Sequence, residues 1–269
     1  MTWQITSAQN PRVKRLLALQ EKSRLRRDEG LFVLEGRREI ERCIAAGYEI
    51  ETLFVCPEIA GDIQPVSAIV PGNTIEVPAW LYDKIAYRGG TEGLVAEVRA
   101  REHRLEDLHL PDDALIVVLE SVEKPGNLGA ILRSADASGI DAVIVCDPLT
   151  DLYNPNLIRS SLGAAFTVPT VACSSEECIA FLKATGVSIL TAQLQDSSLY
   201  YDCDMTRPTA IVMGTESTGL TDVWRKAADA HIRIHMLGSL DSLNVSVSAA
   251  ILMYEAVRQR MEKQDSVTA

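Results

Sequence analysis

The chain has 269 residues, of which 47% are hydrophobic and 23% are charged, and its formal net charge is −11 at pH 7. This length suffices for one or two domains with a buried core, and the composition is that of an ordinary globular protein. No run of about 18 apolar residues occurs, which excludes a membrane-spanning helix, and the first residues lack the apolar core of a signal peptide, so we expect a cytoplasmic protein.

The first 42 residues are basic although the whole chain is acidic. They hold ten Lys or Arg against six Asp or Glu, and most of this excess lies in and just after a helix that Asn10 and Pro11 are predicted to start. A basic patch on an acidic protein can bind nucleic-acid phosphates, and a solvated helix face accounts equally well for the pattern. The candidate phosphate-binding side chains are Arg12, Lys14, Arg15, Arg24, Arg26 and Arg27.

Residues 1–100 are predicted to form a small α/β domain. Strand-like apolar runs at 31–34, 51–55 and 93–98 alternate with helical patterns at 37–46 and 80–85. The charged stretch 101–113, which contains Pro111, predicts a linker.

Residues 114–269 are predicted to form a second domain in which strands and helices alternate. Because its strands are continuous apolar runs, they indicate a parallel sheet covered on both faces. The predicted strands are 114–119, 142–146, 187–191, 209–213 and 231–236, and the predicted helices are 128–138, 155–162, 175–185, 222–228 and 244–262.

The six cysteines, at positions 43, 56, 146, 173, 178 and 203, form no Cys-x-x-Cys pair. No His and Cys residues stand at the spacing of a common zinc motif. We therefore predict reduced thiols and no metal site.

The first of three polar turns follows the strand at 115–119 and leads into Asn127-Leu128-Gly129-Ala130-Ile131-Leu132-Arg133. Asn127 is suited to be the N-cap of the following helix. Arg133 shares a helix face with Gly129, where a guanidinium could hold a phosphate or carboxylate, or form an internal salt bridge.

The second turn, Gly214-Thr215-Glu216-Ser217-Thr218-Gly219-Leu220, follows the strand at 210–213. Its glycines permit a tight loop whose N–H groups could face a ligand. It contains neither the Gly-Lys-Ser/Thr of a Walker loop nor a Gly-x-Gly-x-x-Gly run, which argues against a nicotinamide enzyme.

The third turn, Ser242-Leu243-Asn244-Val245-Ser246, opens a long helix that Asn244 caps or enters. His235, at the end of the preceding strand, is a possible acid–base group, although such a histidine is more often structural. All three turns follow strands of one parallel sheet, and the carboxyl edge of such a sheet is where ligand sites lie.

At these residues the chain resembles the SpoU, or TrmH-like, branch of the SPOUT RNA methyltransferases. The family's Asn-x-Gly-x-x-x-Arg motif matches Asn127 to Arg133, its Gly-x-Glu-x-x-Gly motif matches Gly214 to Gly219, and its Ser-Leu-Asn-Val-Ser motif matches Ser242 to Ser246. The resemblance covers residues 114–262. Residues 1–100 resemble, more loosely, the family's ribosomal-protein-like RNA-binding extension.

The resemblance implies a parallel α/β domain with a deep trefoil knot that binds S-adenosylmethionine, and a homodimer with its site at the dimer interface. The implied reaction methylates a ribose 2′-hydroxyl, with ribosomal RNA favoured over transfer RNA as the substrate. The residues that would contact the cofactor are Gly214, Ile234, Met236 and Leu243. The residues that would serve the reaction are Arg133, Asn127, Glu216, Ser242 and Asn244.

The chain departs from the family pattern at His235, where Ile-Pro-Met is usual. Proline would stiffen this turn, so its loss bears on the loop geometry more than on activity. Two other functions remain open. One is a non-catalytic RNA-binding or ribosome-assembly protein on the same fold, and the other is an ordinary nucleotide-binding α/β enzyme.

Overall fold

The computed structural model describes residues 3–61, 73–87, 92–215 and 218–268, which belong to two compact units. The first unit comprises Met1–Arg101 together with Tyr153–Phe166, and the second comprises Glu102–Leu152 together with Thr167–Ala269. The division is therefore not a single cut along the chain, because fourteen residues in the middle of the sequence group with the first unit.

The strands form one sheet in each unit. The first sheet has the order β1-β4-β3-β5-β2, and the second has the order β10-β12-β9-β11-β6-β7-β8. The strands are β1 Trp3–Gln4, β2 Leu31–Glu35, β3 Ile50–Val55, β4 Thr74–Glu76, β5 Leu94–Arg99, β6 Leu115–Glu120, β7 Ala142–Cys146, β8 Thr170–Cys173, β9 Ser188–Ala192, β10 Ser198–Leu199, β11 Thr209–Met213 and β12 Ala230–Arg233.

Two short 3-10 helices, Leu105–Asp107 and Tyr200–Asp202, accompany the α-helices. The α-helices of the described residues are α1 Pro11–Glu21, α2 Ser23–Glu29, α3 Arg37–Ala45, α4 Pro57–Ala60, α5 Ala79–Ile85, α6 Pro125–Ser138, α7 Pro155–Ser161, α8 Ala164–Thr167, α9 Ser175–Ala184, α10 Asp222–Ala227 and α11 Val245–Thr268. None of these helices combines the length and apolar content that a membrane crossing requires.

The first unit is a mixed sheet with helices on both faces, which confirms the predicted N-terminal α/β domain. Asn10 caps α1 by accepting a hydrogen bond from the Arg12 backbone N–H at 2.9 Å, and Pro11 follows at the first helical position, as expected. Val13 and Leu16 of α1 pack on one face of the sheet, and Ile40 of α3 packs on the other.

Residues 153–166 complete the hydrophobic core on the α3 side of the first sheet. The Tyr153 ring stacks on Phe32 with centroids 4.4 Å apart, and Ile158 and Phe166 are buried in the same cluster. The Tyr153 hydroxyl also bonds the backbone of Arg101, donating to its carbonyl at 2.7 Å and accepting from its N–H at 2.8 Å. A segment distant in sequence thus supplies part of the first unit's hydrophobic core.

The second unit is built on seven parallel strands, which confirms the predicted parallel sheet. Trp224 of α10 and Leu182 of α9 are fully buried on one face. Helix α11 packs against α6 and against the central strands β6 and β11. The short strands β8 and β10 were not predicted from the sequence.

A buried carboxylate lies in the first sheet. Glu97 of β5 is 2% exposed, with Arg15 3.9 Å away, and its Oε1 accepts no hydrogen bond from the part of the chain that the structure describes. Burial raises the pKa of Glu97, and the nearby Arg15 charge and a hydrogen bond from Thr52 offset this only in part. The pKa of Glu97 is higher in the folded than in the unfolded state. Its protonation therefore adds to the free energy of unfolding at low pH, and this contribution is lost as the pH rises through the pKa of the folded state.

We therefore expect Glu97→Gln to raise the free energy of unfolding at pH 7.5, since it removes a buried charge. The gain over the unsubstituted chain should shrink as the pH falls towards 4.5, the ordinary value for a glutamate. Urea unfolding at several pH values measures this difference. Glu49→Gln, which removes an exposed glutamate paired with Arg99, is the control and should show little pH-dependent gain. A pH-independent effect of Glu97→Gln would contradict the assignment.

Candidate functional site

Three turns converge because β6, β11 and β12 are parallel and therefore end at the same edge of the sheet. β6 and β11 are direct neighbours, and β12 is separated from β11 only by β9. Residues that lie far apart in the sequence thus meet at one edge, which is where open α/β sheets bind their ligands.

In the first turn, α6 begins at Pro125, so that Lys124 occupies the N-cap position and Asn127 lies inside the first helical turn. The predicted N-cap role of Asn127 is therefore wrong, because proline fixes the first helical residue two positions earlier. Asn127 instead accepts a hydrogen bond through Oδ1 from Nδ2 of Asn244, at 3.2 Å.

Asn244 is the residue that caps the long helix α11. Its Oδ1 accepts hydrogen bonds from the Ser246 N–H at 3.0 Å and the Ser246 hydroxyl at 2.6 Å. Because its Nδ2 donates to Asn127, one side chain ties the start of α11 to the start of α6. Two of the predicted site residues are thus in direct contact.

The second turn requires glycine at position 214. A Cβ atom there would lie 2.3 Å from both the carbonyl carbon and the oxygen of Gly219. The loop closes through two backbone hydrogen bonds between Thr215 and Gly219, at 3.3 and 3.1 Å, and Gly219 has a φ of +69°. Glu216, the central residue of the predicted motif, lies outside the described residues.

The second and third turns border a cavity of about 360 Å³. All four residues expected to contact the cofactor line it, namely Gly214, Ile234, Met236 and Leu243, and Ser242 does too. A second recess of about 150 Å³ is lined by Asn127 and Lys124 and shares Gly214, Thr215 and Val245 with the first. The site therefore has two adjoining compartments.

Two residues that line the larger cavity each carry a buried polar atom that has no hydrogen-bond partner in the described part of the chain. The atoms are Oε1 of Gln193, a buried acceptor, and Nε of Arg225, a buried donor. Buried polar groups are normally hydrogen-bonded, so this pair points to a ligand that offers both a donor and an acceptor. Neither residue stands out in the sequence.

Arg133 is exposed on α6 and lines neither compartment. Within the described ranges it forms no ion pair, so the alternative of an internal salt bridge is not supported. His235 is exposed as well and does not line the cavity.

The basic residues of the first unit divide into two groups. Arg12, Lys14, Arg24 and Arg27 are exposed. Arg26 is 4% exposed and donates to the carbonyls of Leu19 and Gln20, which end α1. Its predicted role in phosphate binding is therefore not supported, because the guanidinium is buried and engaged.

Arg15 is likewise held by carboxylates. Its Nε lies 2.7 Å from Glu29, and Glu51 and Glu97 lie within 3.9 Å of its other nitrogens. These ion pairs neutralise the charge that a phosphate would need, so the structure removes Arg15 from the candidate set too.

Glu120 is a positioning residue that was not predicted from the sequence. It is buried at the end of β6 and accepts hydrogen bonds from the Thr221 N–H at 2.9 Å and the Thr221 hydroxyl at 2.6 Å. It thereby fixes the end of the second turn, where α10 begins, to the start of the first turn. The only sequence signal was a carboxylate directly after the apolar run at 115–119.

Comparison with known proteins matches both units. Residues 114–254 match the model of the SpoU rRNA Methylase family, and residues 10–96 match that of the MRM3-like substrate binding domain. The 23S rRNA (uridine(2479)-2'-O)-methyltransferase of Streptomyces viridochromogenes is 30% identical, over 97% of this chain and 94% of its own length.

Solved structures are similar over nearly the whole chain. A crystal structure of an RNA 2'-O ribose methyltransferase has 41% sequence identity and a TM-score of 0.83, covering 96% of this chain and 99% of its own. The AdoMet-bound rRNA methyltransferase from Sinorhizobium meliloti has 30% identity and a TM-score of 0.88, covering 96% and 98% of the two chains.

The close approach at Gly214 leads to a stability prediction. We expect Gly214→Ala to lower the free energy of unfolding by about 1–3 kcal/mol, because the added methyl group must displace the backbone of Gly219 and Leu220. Gly126→Ala is a matched control, since a Cβ there meets nothing within 4 Å, and it should change stability by no more than about 1 kcal/mol. Equal losses in urea unfolding for both variants would contradict this interpretation.

Proposed function

The chain belongs to the SpoU rRNA methylase family, and we infer that it is an S-adenosylmethionine-dependent methyltransferase that modifies a ribose 2′-hydroxyl of ribosomal RNA. The observation that carries this inference is that the second and third motif turns line one cavity, while Asn127 of the first turn lines the adjoining recess and is hydrogen-bonded to Asn244 of the third.

The cavity fits S-adenosylmethionine in its chemistry. Its apolar residues, which include Met213, Leu220 and Ile232, can enclose an adenine ring, and the orphaned Arg225 Nε and Gln193 Oε1 suit the cofactor's carboxylate and its N–H or O–H donors. We assign to the cofactor the four cavity residues that the family motifs indicate. Gly214 permits close approach of the backbone, and the other three line the same wall, namely Ile234, Met236 and Leu243.

When bound, the cofactor supplies a methyl group on a sulfonium, which is already a good electrophile. The protein must bring the 2′-oxygen into line and raise its nucleophilicity, because a ribose hydroxyl keeps its proton at neutral pH. A guanidinium is always charged and is therefore a poor general base. We assign Arg133 to binding the neighbouring phosphate and stabilising the developing charge on the oxygen.

Four polar residues are assigned to orienting the ribose and Arg133, namely Asn127, Glu216, Ser242 and Asn244. Asn127 lines the smaller recess, and Asn244 holds its amide in place. Because the smaller recess adjoins the cofactor cavity at Gly214 and Thr215, it is the natural place for the ribose that receives the methyl group.

A homodimer is part of the proposal. Arg133 lies outside both compartments of its own chain, so a second copy is the simplest source of the guanidinium. Leu243, Val247 and Tyr254 expose apolar surface at the start of α11 and along it, as an interface between copies would require. The trefoil knot and a cytoplasmic location, expected from the family, are also proposed and rest on that membership.

The exposed basic residues of the first unit would hold RNA phosphates. Arg12, Lys14, Arg24 and Arg27 remain as candidates once Arg15 and Arg26 are removed. The match of residues 10–96 to a substrate binding domain supports this assignment.

Arg133→Ala is expected to lower methyl transfer to RNA by about 10²–10³-fold while leaving S-adenosylmethionine affinity unchanged, since the RNA phosphate and the developing charge lose their partner but the cofactor does not. Incorporation of labelled methyl groups and calorimetric titration measure the two effects. Arg207→Ala, which removes a 78% exposed arginine of the same unit, is the control and should retain activity. Near-native turnover of Arg133→Ala would refute its assignment.

Mixing inactive variants tests the dimer. We expect Gly214→Ala to lose activity as well, because the added methyl group displaces the loop that lines the cofactor cavity. If Arg133 acts across the interface, mixing Arg133→Ala with Gly214→Ala chains restores activity, because one site of each mixed dimer combines an intact cavity with an intact arginine. If the mixture stays inactive although its subunits have been shown to exchange, Arg133 acts in the site of its own chain.

Replacing Arg24 and Arg27 with glutamine should weaken RNA binding and make its salt dependence shallower, by about one unit of log–log slope for each phosphate that is no longer neutralised. Arg99→Gln is the control, because Arg99 is held by two carboxylates, Glu49 and Glu51, whereas Arg24 is 88% exposed and, among the described residues, pairs only with the exposed Asp28. Filter binding at several salt concentrations gives the slopes. An unchanged slope for the double variant would remove this surface from the RNA interface.

A further inference from the structure

Three cysteines come together in the second unit, away from the cavity. The Sγ atoms of Cys146, Cys173 and Cys178 all lie within 4.8 Å of one another. Cys146 and Cys173 are the last residues of β7 and β8 and pair directly in the parallel ladder, and Cys178 lies in the first turn of α9. The fold, rather than a sequence motif, creates this cluster, which is why the spacing carries no signal.

The backbone around the three sulfurs is fixed by hydrogen bonds. The Asp147 N–H donates to the Cys173 carbonyl and the Ser121 N–H donates to the Cys146 carbonyl, both at 2.9 Å. The Ser174 hydroxyl and the Glu177 carboxylate form a reciprocal capping box at the start of α9. The three thiols are therefore held together before any ligand arrives.

The distances suit a metal ion that prefers sulfur. A Zn–S bond of about 2.3 Å in a tetrahedral site places the sulfurs about 3.8 Å apart, which is within the observed limit of 4.8 Å. Cys146 and Cys178 are fully buried, whereas Cys173 is partly exposed, so water can reach a fourth position from its side.

The surrounding charges also favour a cation bound to thiolates. The exposed carboxylates of Asp147 and Glu177 lie beside the cluster and give it a negative potential. The N-terminus of the ten-residue helix α9 stabilises thiolate sulfur in its first turn.

We propose that Cys146, Cys173 and Cys178 bind one thiophilic metal ion, with the chemistry of Zn²⁺, as three thiolates. Each thiol releases its proton to solvent when its sulfur coordinates, and no electron is transferred. The alternative for the same geometry is a set of reduced thiols that only fill the core, as Cys43 and Cys56 do in the first unit. The bound ion takes no chemical part in methyl transfer.

A bound metal ion would restrain the backbone of the first polar turn. Ser121 opens that turn with a φ of +52°, and it donates through its N–H to the Cys146 carbonyl and through its hydroxyl to the Asp147 carbonyl at 3.4 Å. An ion that clamps β7, β8 and α9 would thus brace the turn that leads to Asn127. The site is therefore assigned a structural role.

The test is a titration of the full chain with Zn²⁺ under a thiol-free reductant and a competing chelator. We expect one Zn²⁺ per chain and a rise in the thermal midpoint on binding. Cys173→Ser should lose both effects, whereas Cys203→Ser, a similarly half-buried cysteine outside the cluster, should keep them. Absence of stoichiometric binding, or equal behaviour of the two variants, would overturn the proposal.

A second measurement does not depend on how well the variants fold. Cd²⁺ added to the unsubstituted chain should produce the ultraviolet charge-transfer absorption of thiolate ligation, with saturation at one ion per chain. Counting free thiols distinguishes a metal site from a disulfide between two of the three cysteines. Loss of two thiols in air, together with no Cd²⁺ absorption by the reduced chain, would show a disulfide pair and refute the metal site.

Discussion

Parallel pairing of the seven strands is the constraint on which the second unit depends. It forces every strand to end at the same edge, so residues separated by long stretches of chain become neighbours there. Asn127 and Asn244 meet in this way, and so do Cys146 and Cys173 one strand pair further along. Cys146 and Cys173 are direct partners in the β7–β8 ladder, so a register shift between these two strands would separate them.

Backbone and side chains contribute to the candidate site in different ways. Gly214 is needed for the space that it leaves, since any Cβ would strike Gly219. Glu120, Asn127 and Asn244 are needed for hydrogen bonds that hold the turns against one another. Arg133 belongs to neither group, because it is exposed and lines no cavity of the described site. In the proposed dimer, a rigid cofactor site in one copy is combined with a guanidinium that the second copy supplies.

Eight of the twelve strands that the structure describes and the three turns could be predicted from the sequence, because continuous apolar runs and Gly- or Asn-rich turns are local signals. Contacts that arise only from the fold could not. Arg26 looks like part of a basic surface in the sequence, yet it is buried under the end of α1. Asn127 looks like a cap, yet Pro125 starts the helix first. The cysteine cluster needed the strand order, which spacing alone does not contain.

The contribution of Tyr153–Phe166 to the first unit has a consequence for the order in which the protein is made. A nascent chain released only as far as residue 101 still lacks Tyr153, Ile158 and Phe166, which cover Phe32. The first unit therefore cannot complete its core until well over half of the chain has left the ribosome, although it is the N-terminal unit. For the same reason, recombination that exchanges only the N-terminal segment would leave this core mismatched.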